Sequence, residues 1–322
     1  MSSVHVRRQL WRRALSIENI GLYVVLVGIL VFFSVASPYF LTLRNLMDIL
    51  RQSTFVLVAA LGMTLVIMTS GIDLSVGSVL GVSAGVTSVV LIQGAPTPVA
   101  VLAGLAVGVA CGALNGLIIT RLGVTDLIAT LSTLSIYRGV LFMMTQGVPF
   151  QQFARPSFSV LGRGNLWVIP VPIIIAVFFL VVLAYILRKT VFGRHLLATG
   201  SNKEAAVLSG IHVKRVKISV YIISGLTAAA AGIMLAARLS SVPPDLGTGY
   251  ELSVIAAVVI GGTSLFGGTG SVAGTFVGAL MVAIIGNGLI LLNVNPFYQY
   301  VINGLLIIFA VAVNGARRRR AS

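Results

Sequence analysis

The chain has 322 residues, of which 57% are hydrophobic and only 9% charged, and its formal net charge is +15. A soluble domain carries about 25% charged residues, so this composition excludes an ordinary soluble protein of this length. Basic loops beside membrane spans account for the positive charge and attract anionic lipid headgroups. Nucleic acid is therefore not expected as a partner, and the sequence predicts an all-α protein that lies almost wholly in a lipid membrane.

Long uncharged runs predict about ten transmembrane helices. A helix needs about 20 apolar residues to cross a bilayer, and the runs are interrupted at proline, glycine and charged residues. The predicted spans are 20–37, 53–70, 76–92, 97–119, 124–146, 167–187, 217–237, 252–266, 271–292 and 298–314.

Three basic clusters give the orientation, because Lys and Arg are retained in cytoplasmic loops. One precedes the first span, the second fills the internal loop 188–217, and the third closes the chain. Both termini are therefore predicted to be cytoplasmic, which agrees with an even number of crossings. The resulting regions are a basic N-terminus (1–19), a transmembrane domain (20–316) that contains the cytoplasmic loop (188–217), and a basic tail (317–322).

Two acidic residues stand at membrane depth in similar short motifs. Asp73 lies in G-I-D-L-S-V, which also contains Ser75, and Glu251 lies in G-Y-E-L-S-V. A carboxylate at this depth costs about 2.5–3.5 kcal/mol and therefore faces protein or water. The predicted topology places the motifs at opposite membrane faces, which is the arrangement of an inverted repeat. A chance match is the alternative.

Intramembrane charges have a functional and a structural interpretation. Asp73 is either a gate or pathway residue, or the cap of the next helix in a tight cytoplasmic turn. Arg138, inside a predicted span, either pairs with one of the acids or extends its side chain to the membrane interface.

Glycines recur every four residues in three spans and predict close helix packing, since lipid offers no hydrophobic drive for helix association. These ribbons are Gly77, Gly81 and Gly85, then Gly104, Gly108, Gly112 and Gly116, then Gly270, Gly274 and Gly278.

A short polar helix is predicted within the basic loop 188–217. Asn202 is a good N-cap, Glu204 lies in the first turn where the helix dipole favours a negative charge, and Gly210 is placed to end the helix. The sequence from Glu204 to Gly210 fits the pattern E-A-A-x-x-x-G.

That pattern and several others closely resemble the ribose-type monosaccharide permeases of ATP-binding-cassette (ABC) importers. The resemblance covers roughly residues 20–315 and includes the Asp73 motif, I-A-A-V-V-I-G-G-T-S-L at 255–265, and Asn287-Gly288-Leu289. Three residues depart from the family pattern. Ser253 stands where that family usually has Asp, Ile290 where it often has Asn, and Asp126 where a small residue or Pro is common.

The resemblance implies a multi-pass permease subunit in the bacterial inner membrane, forming the pathway for a ribose-like pentose or a hexose. Its partners would be an ABC ATPase, an extracytoplasmic sugar-binding protein and a second permease copy. No Lys follows a Gly, so the chain lacks a phosphate-binding loop, is not expected to be an enzyme, and should bind no cofactor. ATP and Mg would lie on the partner ATPase.

The resemblance and the polar residues at membrane depth together give candidate roles to single residues. The ATPase-coupling residues are Asn202, Glu204, Ala205, Ala206, Ser209 and Gly210. The pathway or gate candidates are Asp73, Ser75, Arg138, Glu251 and Asn287. The alternative from another class is an ion-coupled secondary transporter that uses Asp73 and Glu251 as proton-binding carboxylates.

Overall fold

The computed structural model describes most of the chain. The described residues are 17–151, 153, 155–295, 297–298, 301–302, 304–308 and 312, with side chains from residue 21 onward. Within them the secondary structure is helical apart from one small hairpin and an isolated bridge between Phe150 and Val242. The expected all-α membrane fold is confirmed.

Within the described part of the chain, six helices precede the hairpin. They are α1 (Ile17–Ala36), α2 (Leu43–Met68), α3 (Val76–Ile92), α4 (Thr97–Arg121), α5 (Asp126–Thr145) and α6 (Pro156–Arg163). The hairpin strands are β1 (Asn165–Leu166) and β2 (Ile169–Pro170). The helices that follow are α7 (Val171–Lys189), α8 (Val191–Ser201), α9 (Lys203–Leu208), α10 (Val213–Leu239), α11 (Tyr250–Ile260) and α12 (Val272–Leu291).

Six of the described helices, namely α2, α4, α5, α7, α10 and α12, are long and apolar enough to cross a membrane. Three further apolar segments are shorter, at Gly21–Ala36, Val76–Ile92 and Tyr250–Ile260. The tenth predicted span, 298–314, lies only in part within the described residues.

Two predicted boundaries are wrong. The second span was expected to begin at residue 53, but α2 begins at Leu43, where Thr42 accepts a hydrogen bond from the Asn45 amide. The sequence did not predict this start, because the first turns of α2 contain charged residues. A helix tolerates charge where it extends beyond the hydrocarbon region of the membrane. The span expected over 252–266 ends at Ile260, since Gly261 and the left-handed Gly262 (φ +86°) terminate α11.

Helix α10 forms the centre of the bundle and packs against α2, α3 and α4. Its contact face is built from alanine and glycine, and Ala228, Ala229 and Ala231 have no exposed surface. The predicted close packing of the glycine ribbons is confirmed on α4. A Cβ at Gly112 would overlap the Tyr221 carbonyl oxygen, and one at Gly108 would overlap that of Gly225.

Two non-helical segments enter the bundle from opposite ends of α10. The segment 69–75 joins α2 to α3, and Asp73 within it bonds Ser224, near the middle of the 27-residue α10. The segment 240–249 follows the other end of α10 and returns inward until Gly247 lies against Gly77 on α3. Irregular backbone is tolerated at membrane depth where it is buried in protein, so these two segments mark the functionally interesting part of the fold.

Candidate functional site

The Asp73 carboxylate is the centre of a buried polar cluster, and the residue is 1% exposed. One oxygen, Oδ1, accepts hydrogen bonds from the amide and the hydroxyl of Ser75, at 3.0 and 2.6 Å. The other, Oδ2, accepts from the Ser224 hydroxyl at 2.8 Å. The carboxylate therefore fixes the turn before α3 and ties that turn to α10.

The cluster continues through α4 and α5. The Asn115 side-chain amide donates to the Ser75 hydroxyl at 2.8 Å, and the Tyr137 hydroxyl donates to the Cys111 carbonyl at 3.1 Å and reaches Asn115 Oδ1 at 3.3 Å. Sequence reasoning predicted Asp73 and Ser75 but missed Asn115, Tyr137 and Ser224. An Asn inside an uncharged span was the available signal, since such polar residues seek partners on neighbouring helices.

The capping interpretation of Asp73 is wrong in its geometry. The N-cap of α3 is Ser75, and the Asp73 carboxylate bonds the amide of Ser75 itself and no amide inside the helix. The turn between α2 and α3 is present as expected, and both Asp73 and Ser75 are buried in it. The gate or pathway role remains a proposal.

Glu251 approaches the same cluster from the other interrupted segment. Its Oε1 accepts a hydrogen bond from the Gly249 amide at 3.2 Å. Its Oε2 is buried without a hydrogen-bond partner among the described residues and lies where a Cβ on Gly77 would be. Gly77 follows Asp73 by four residues, so the two acids do not lie at opposite membrane faces, as the sequence had suggested. The segments enter from opposite sides, and the first turns of α3 lie between Asp73 and Glu251.

Arg138 bonds a backbone carbonyl and makes no close ion pair among the described residues, although the charge of Glu251, one of the acids it was predicted to pair with, acts on it at longer range. Its Nη1 donates to the Leu246 carbonyl at 2.6 Å. Leu246 belongs to the segment 240–249, and its carbonyl also lies against Gly81 of α3. Arg138 therefore holds the second interrupted segment against α3 and α5.

Asn287 lies away from the Asp73 cluster. Its side-chain amide donates to Asn45 Oδ1 at 2.9 Å, which links α12 to the first turn of α2. Its own Oδ1 is buried and has no partner among the described residues. The structure thus brings Asp73 and Ser75 into one cluster, places Glu251 against Gly77 on the neighbouring turn of α3, and leaves Asn287 apart.

A second polar cluster holds the chain just before Asp73. Asp126 at the start of α5 accepts two hydrogen bonds from Lys217 Nζ, at 2.9 and 2.6 Å, and one from the Tyr221 hydroxyl at 3.0 Å. Gly71 has no room for a Cβ beside this carboxylate, and the Thr130 hydroxyl bonds the Ile72 carbonyl at 3.0 Å. Asp126, noted in the sequence only as a departure from the family pattern, therefore anchors the entry of segment 69–75.

The predicted helix in the basic loop is confirmed as α9 (Lys203–Leu208). Asn202 Oδ1 accepts from the Ala205 amide at 2.9 Å, and the left-handed Gly210 (φ +79°) follows the helix end. Ala206 is 3% exposed and anchors the helix to the protein. The other coupling candidates Glu204, Ala205 and Ser209 are exposed, with the Ser209 hydroxyl bonded to the Ala205 carbonyl at 2.9 Å.

A cavity of about 1190 Å³ opens between α9, the start of α10 and the turn from α4 to α5. Its basic lining residues outnumber its acidic ones, and the Lys217 ammonium group is already paired with Asp126. The charged and titratable residues that line it are Arg121, Asp126, Lys203, His212, Lys214, Arg215 and Lys217.

A bundle of apolar helices, six of them long enough to cross a membrane, with two non-helical segments buried beside α3, is typical of a polytopic membrane transport protein. Residues 45–311 match the family described as the permease component of a branched-chain amino acid transport system, so the chain belongs to that family. It is a transport permease rather than an enzyme.

Individual relatives agree over nearly the whole chain. The ribose import permease protein RbsC of Bacillus subtilis is 41% identical over 298 residues, 92% of each chain. RbsC of Escherichia coli K12 is 42% identical over 314 residues, 97% of this chain and 98% of the relative. The L-arabinose permease AraH of Azospirillum brasilense is 36% identical over 304 residues, 94% of this chain and 89% of the relative. No solved structure matches the chain significantly. The resemblance to ribose-type permeases is confirmed.

Proposed function

We propose that this chain is the permease subunit of an ABC importer that carries a monosaccharide, a ribose-like pentose or a hexose, across the membrane. The observation that carries the proposal is the 41–42% identity to ribose import permeases over 92–98% of both chains. The described fold supports it, because its helices and interrupted segments suit a membrane pathway and α9 presents an exposed helix at the basic loop.

The partners follow from this assignment. A separate ATPase would bind ATP and Mg, a sugar-binding protein would deliver the cargo from outside, and a second copy of this chain would complete the pathway. The chain would lie in the bacterial inner membrane with about ten crossings and both termini in the cytoplasm. The regions 1–19, 20–316 and 317–322 then correspond to a basic terminus, the permease domain and a basic tail.

We assign the contact with the ATPase to α9 and its flanks. Asn202 and Gly210 define the helix ends, Ala206 anchors it, and Glu204 with its exposed neighbours is free to meet a partner. The surrounding cations attract an acidic surface, which would guide docking.

We assign the gate to the two interrupted segments. Asp73 and Ser75 hold segment 69–75 against α10. Arg138 holds segment 240–249 by a hydrogen bond to its Leu246 carbonyl, and Glu251 lies against α3 just after that segment. Buried polar networks of this kind have discrete arrangements, so they suit a pathway that alternates between two states. Asp73 already accepts three hydrogen bonds, which gives no support to the secondary transporter that would use it as a proton carrier.

Co-purification tests the function. A tagged copy extracted from membranes in mild detergent should retain an ATPase subunit, and the complex should hydrolyse ATP. Glu204→Lys should lose the ATPase while the permease still inserts, because it replaces the acid that the helix dipole favours in the first turn of α9 with a positive charge and so removes any contact that depends on the Glu204 carboxylate.

Asp245→Lys is the matched control. Asp245 is exposed in the segment 240–249, far along the chain from α9, and the substitution makes the same charge change. It should leave ATPase retention unchanged. A wild-type chain that purifies alone and takes up ribose in ATP-free liposomes would instead establish a secondary transporter.

A further inference from the structure

Three segments meet in close backbone contact around Gly200. Gly200 lies in the last turn of α8, two residues before the Asn202 cap of α9. A Cβ at Gly200 would overlap the carbonyl oxygen of Met68, the last residue of α2, and would stand 2.6 Å from the Gly268 amide nitrogen. The Gly268 amide in turn donates to that Met68 carbonyl at 2.9 Å.

Ser70 completes the contact. Its backbone is left-handed (φ 59°), an unfavourable conformation for a residue other than glycine. Its hydroxyl donates to the Phe266 carbonyl at 2.8 Å and lies 3.3 Å from the Gly200 carbonyl. Gly267 packs so closely on Ser70 that a Cβ there would overlap the hydroxyl oxygen.

Each partner in this contact leads to a different part of the proposed machinery. Ser70 precedes Asp73 by three residues. The loop 261–271 joins α12 to α11, and α11 carries Glu251 at its far end. Gly200 leads directly into α9. Gly200, Met68 and Gly268 touch through backbone atoms, and the short Ser70 side chain adds hydrogen bonds, so no long flexible side chain absorbs a displacement of α8 and α9. Close-packed elements pass such shifts on to their neighbours.

We propose that Ser70 and Gly200 form a positioning junction that makes both interrupted segments move together with α8 and α9. Segment 69–75 contains Ser70 and is moved directly, whereas segment 240–249 is moved through the loop 261–271 and α11. The inference rests on the proposed function, since it assumes that an ATPase displaces α9. The two residues touch no substrate. They determine whether a displacement at α9 reaches Asp73 and Glu251.

Hydrogen–deuterium exchange on the purified permease–ATPase complex tests the junction without any sugar. In the wild type, adding a non-hydrolysable ATP analogue should change exchange in α9, in 69–76 and in 261–271. Ser70→Ala removes the hydroxyl bonds without adding bulk. It should preserve the response of α9 and reduce the response of 69–76 at least about fivefold, the lower end of usual coupling between sites.

Ser264→Ala is the matched control, because the Ser264 hydroxyl accepts a hydrogen bond from the Phe266 amide within the same loop. It should keep the wild-type pattern. Gly200→Ala, which forces the backbones apart, should abolish the response of both segments while the ATPase remains bound. If Gly200→Ala fails to assemble, Ser70→Ala alone decides.

The outcomes separate the two proposals. A wild-type chain that retains no ATPase contradicts the importer assignment itself. A complex in which Ser70→Ala leaves the response of 69–76 equal to that of the wild type overturns the junction while the importer assignment stands. If Ser70→Ala also lost the exchange response of α9, the junction would again be overturned, because a junction acts downstream of α9.

Discussion

Asp73 acts as a hydrogen-bond acceptor inside the bundle. All three groups that it serves, the Ser75 amide, the Ser75 hydroxyl and the Ser224 hydroxyl, are buried donors. A buried donor that loses its acceptor costs about 1–3 kcal/mol. The carboxylate therefore fixes the position of segment 69–75 through its hydrogen bonds. Two substitutions at Asp73 can separate the effect of these hydrogen bonds from the effect of the negative charge.

Asp73→Ala should destabilise the protein by about 3 kcal/mol or more, because three buried donors lose their acceptor together. Asp73→Asn should cost much less. Its oxygen can still accept from Ser75, and the Ser224 hydroxyl can rotate to accept from the new amide. Thermal unfolding of the two purified variants in detergent measures the difference. Equal destabilisation would mean that the negative charge matters and its hydrogen bonds do not.

The acids at membrane depth could be predicted from the sequence, but their partners could not. A carboxylate in an apolar run is unusual in any context, so Asp73 and Glu251 were identifiable one residue at a time. Ser224 and Asn115 lie 151 and 42 positions from Asp73, and only the packing of α10 and α4 brings them near it. Asp126 was misjudged for the same reason, since its partner Lys217 had been counted only as a loop charge.

Helices α4 and α10 approach each other through glycine. Gly108, Gly112 and Gly116 of α4 face α10 and leave no room for a Cβ, whereas Gly104 lies mainly against Thr87 and Ser83 of α3. In lipid, helix association depends on such close contact, because burial from lipid gives no hydrophobic gain. The spacing of four residues predicted this face correctly. The sequence did not identify α10 as the partner helix, which only the structure shows.

Gly112→Ala should lower stability by about 1–3 kcal/mol, the usual cost of overpacking, since the new methyl group must push the Tyr221 backbone away. Gly139→Ala on α5 is the control, because a Cβ there meets nothing within 4 Å. It should be neutral or stabilising, as Ala favours the helix over Gly by about 0.5–1 kcal/mol. Unfolding midpoints of both variants in the same detergent would check this. A stable Gly112→Ala protein would show that α4 and α10 are farther apart than described.

Helix ends were predicted less well than helix faces. The start of α2 and the end of α11 were both missed. The length of an uncharged run depends on the thickness of the hydrocarbon region and not on the length of the helix. The hairpin at 165–170 also replaced the first four residues of a predicted span. The break at segment 69–75 was predicted from the glycine before Asp73, because glycine beside an acid at membrane depth is typical of an interrupted helix. The return of segment 240–249 into the bundle was not predicted.

Sidedness connects the fold to the proposed function, because α9 can meet an ATPase only if it lies in the cytoplasm. The basic residues between α7 and α10 predict that location, and the hairpin loop lies at the other end of α7. Two exposed positions report the two sides directly. Val168 in the hairpin is 76% exposed, and Ser209 follows α9 on the protein surface.

Single cysteines at these positions, in a Cys111→Ser background, test the orientation with a membrane-impermeant maleimide. Val168→Cys should react in intact spheroplasts, because its loop is expected outside. Ser209→Cys should react only after the cells are broken or in inside-out vesicles. Ile174→Cys, within the α7 span, is the internal control and should stay unlabelled in both, since lipid excludes the charged reagent. Labelling of Ser209→Cys in intact spheroplasts would place α9 outside, where no ATPase could reach it. That result would contradict the coupling role of Glu204 and the junction at Gly200 together, whatever sugar the protein carries.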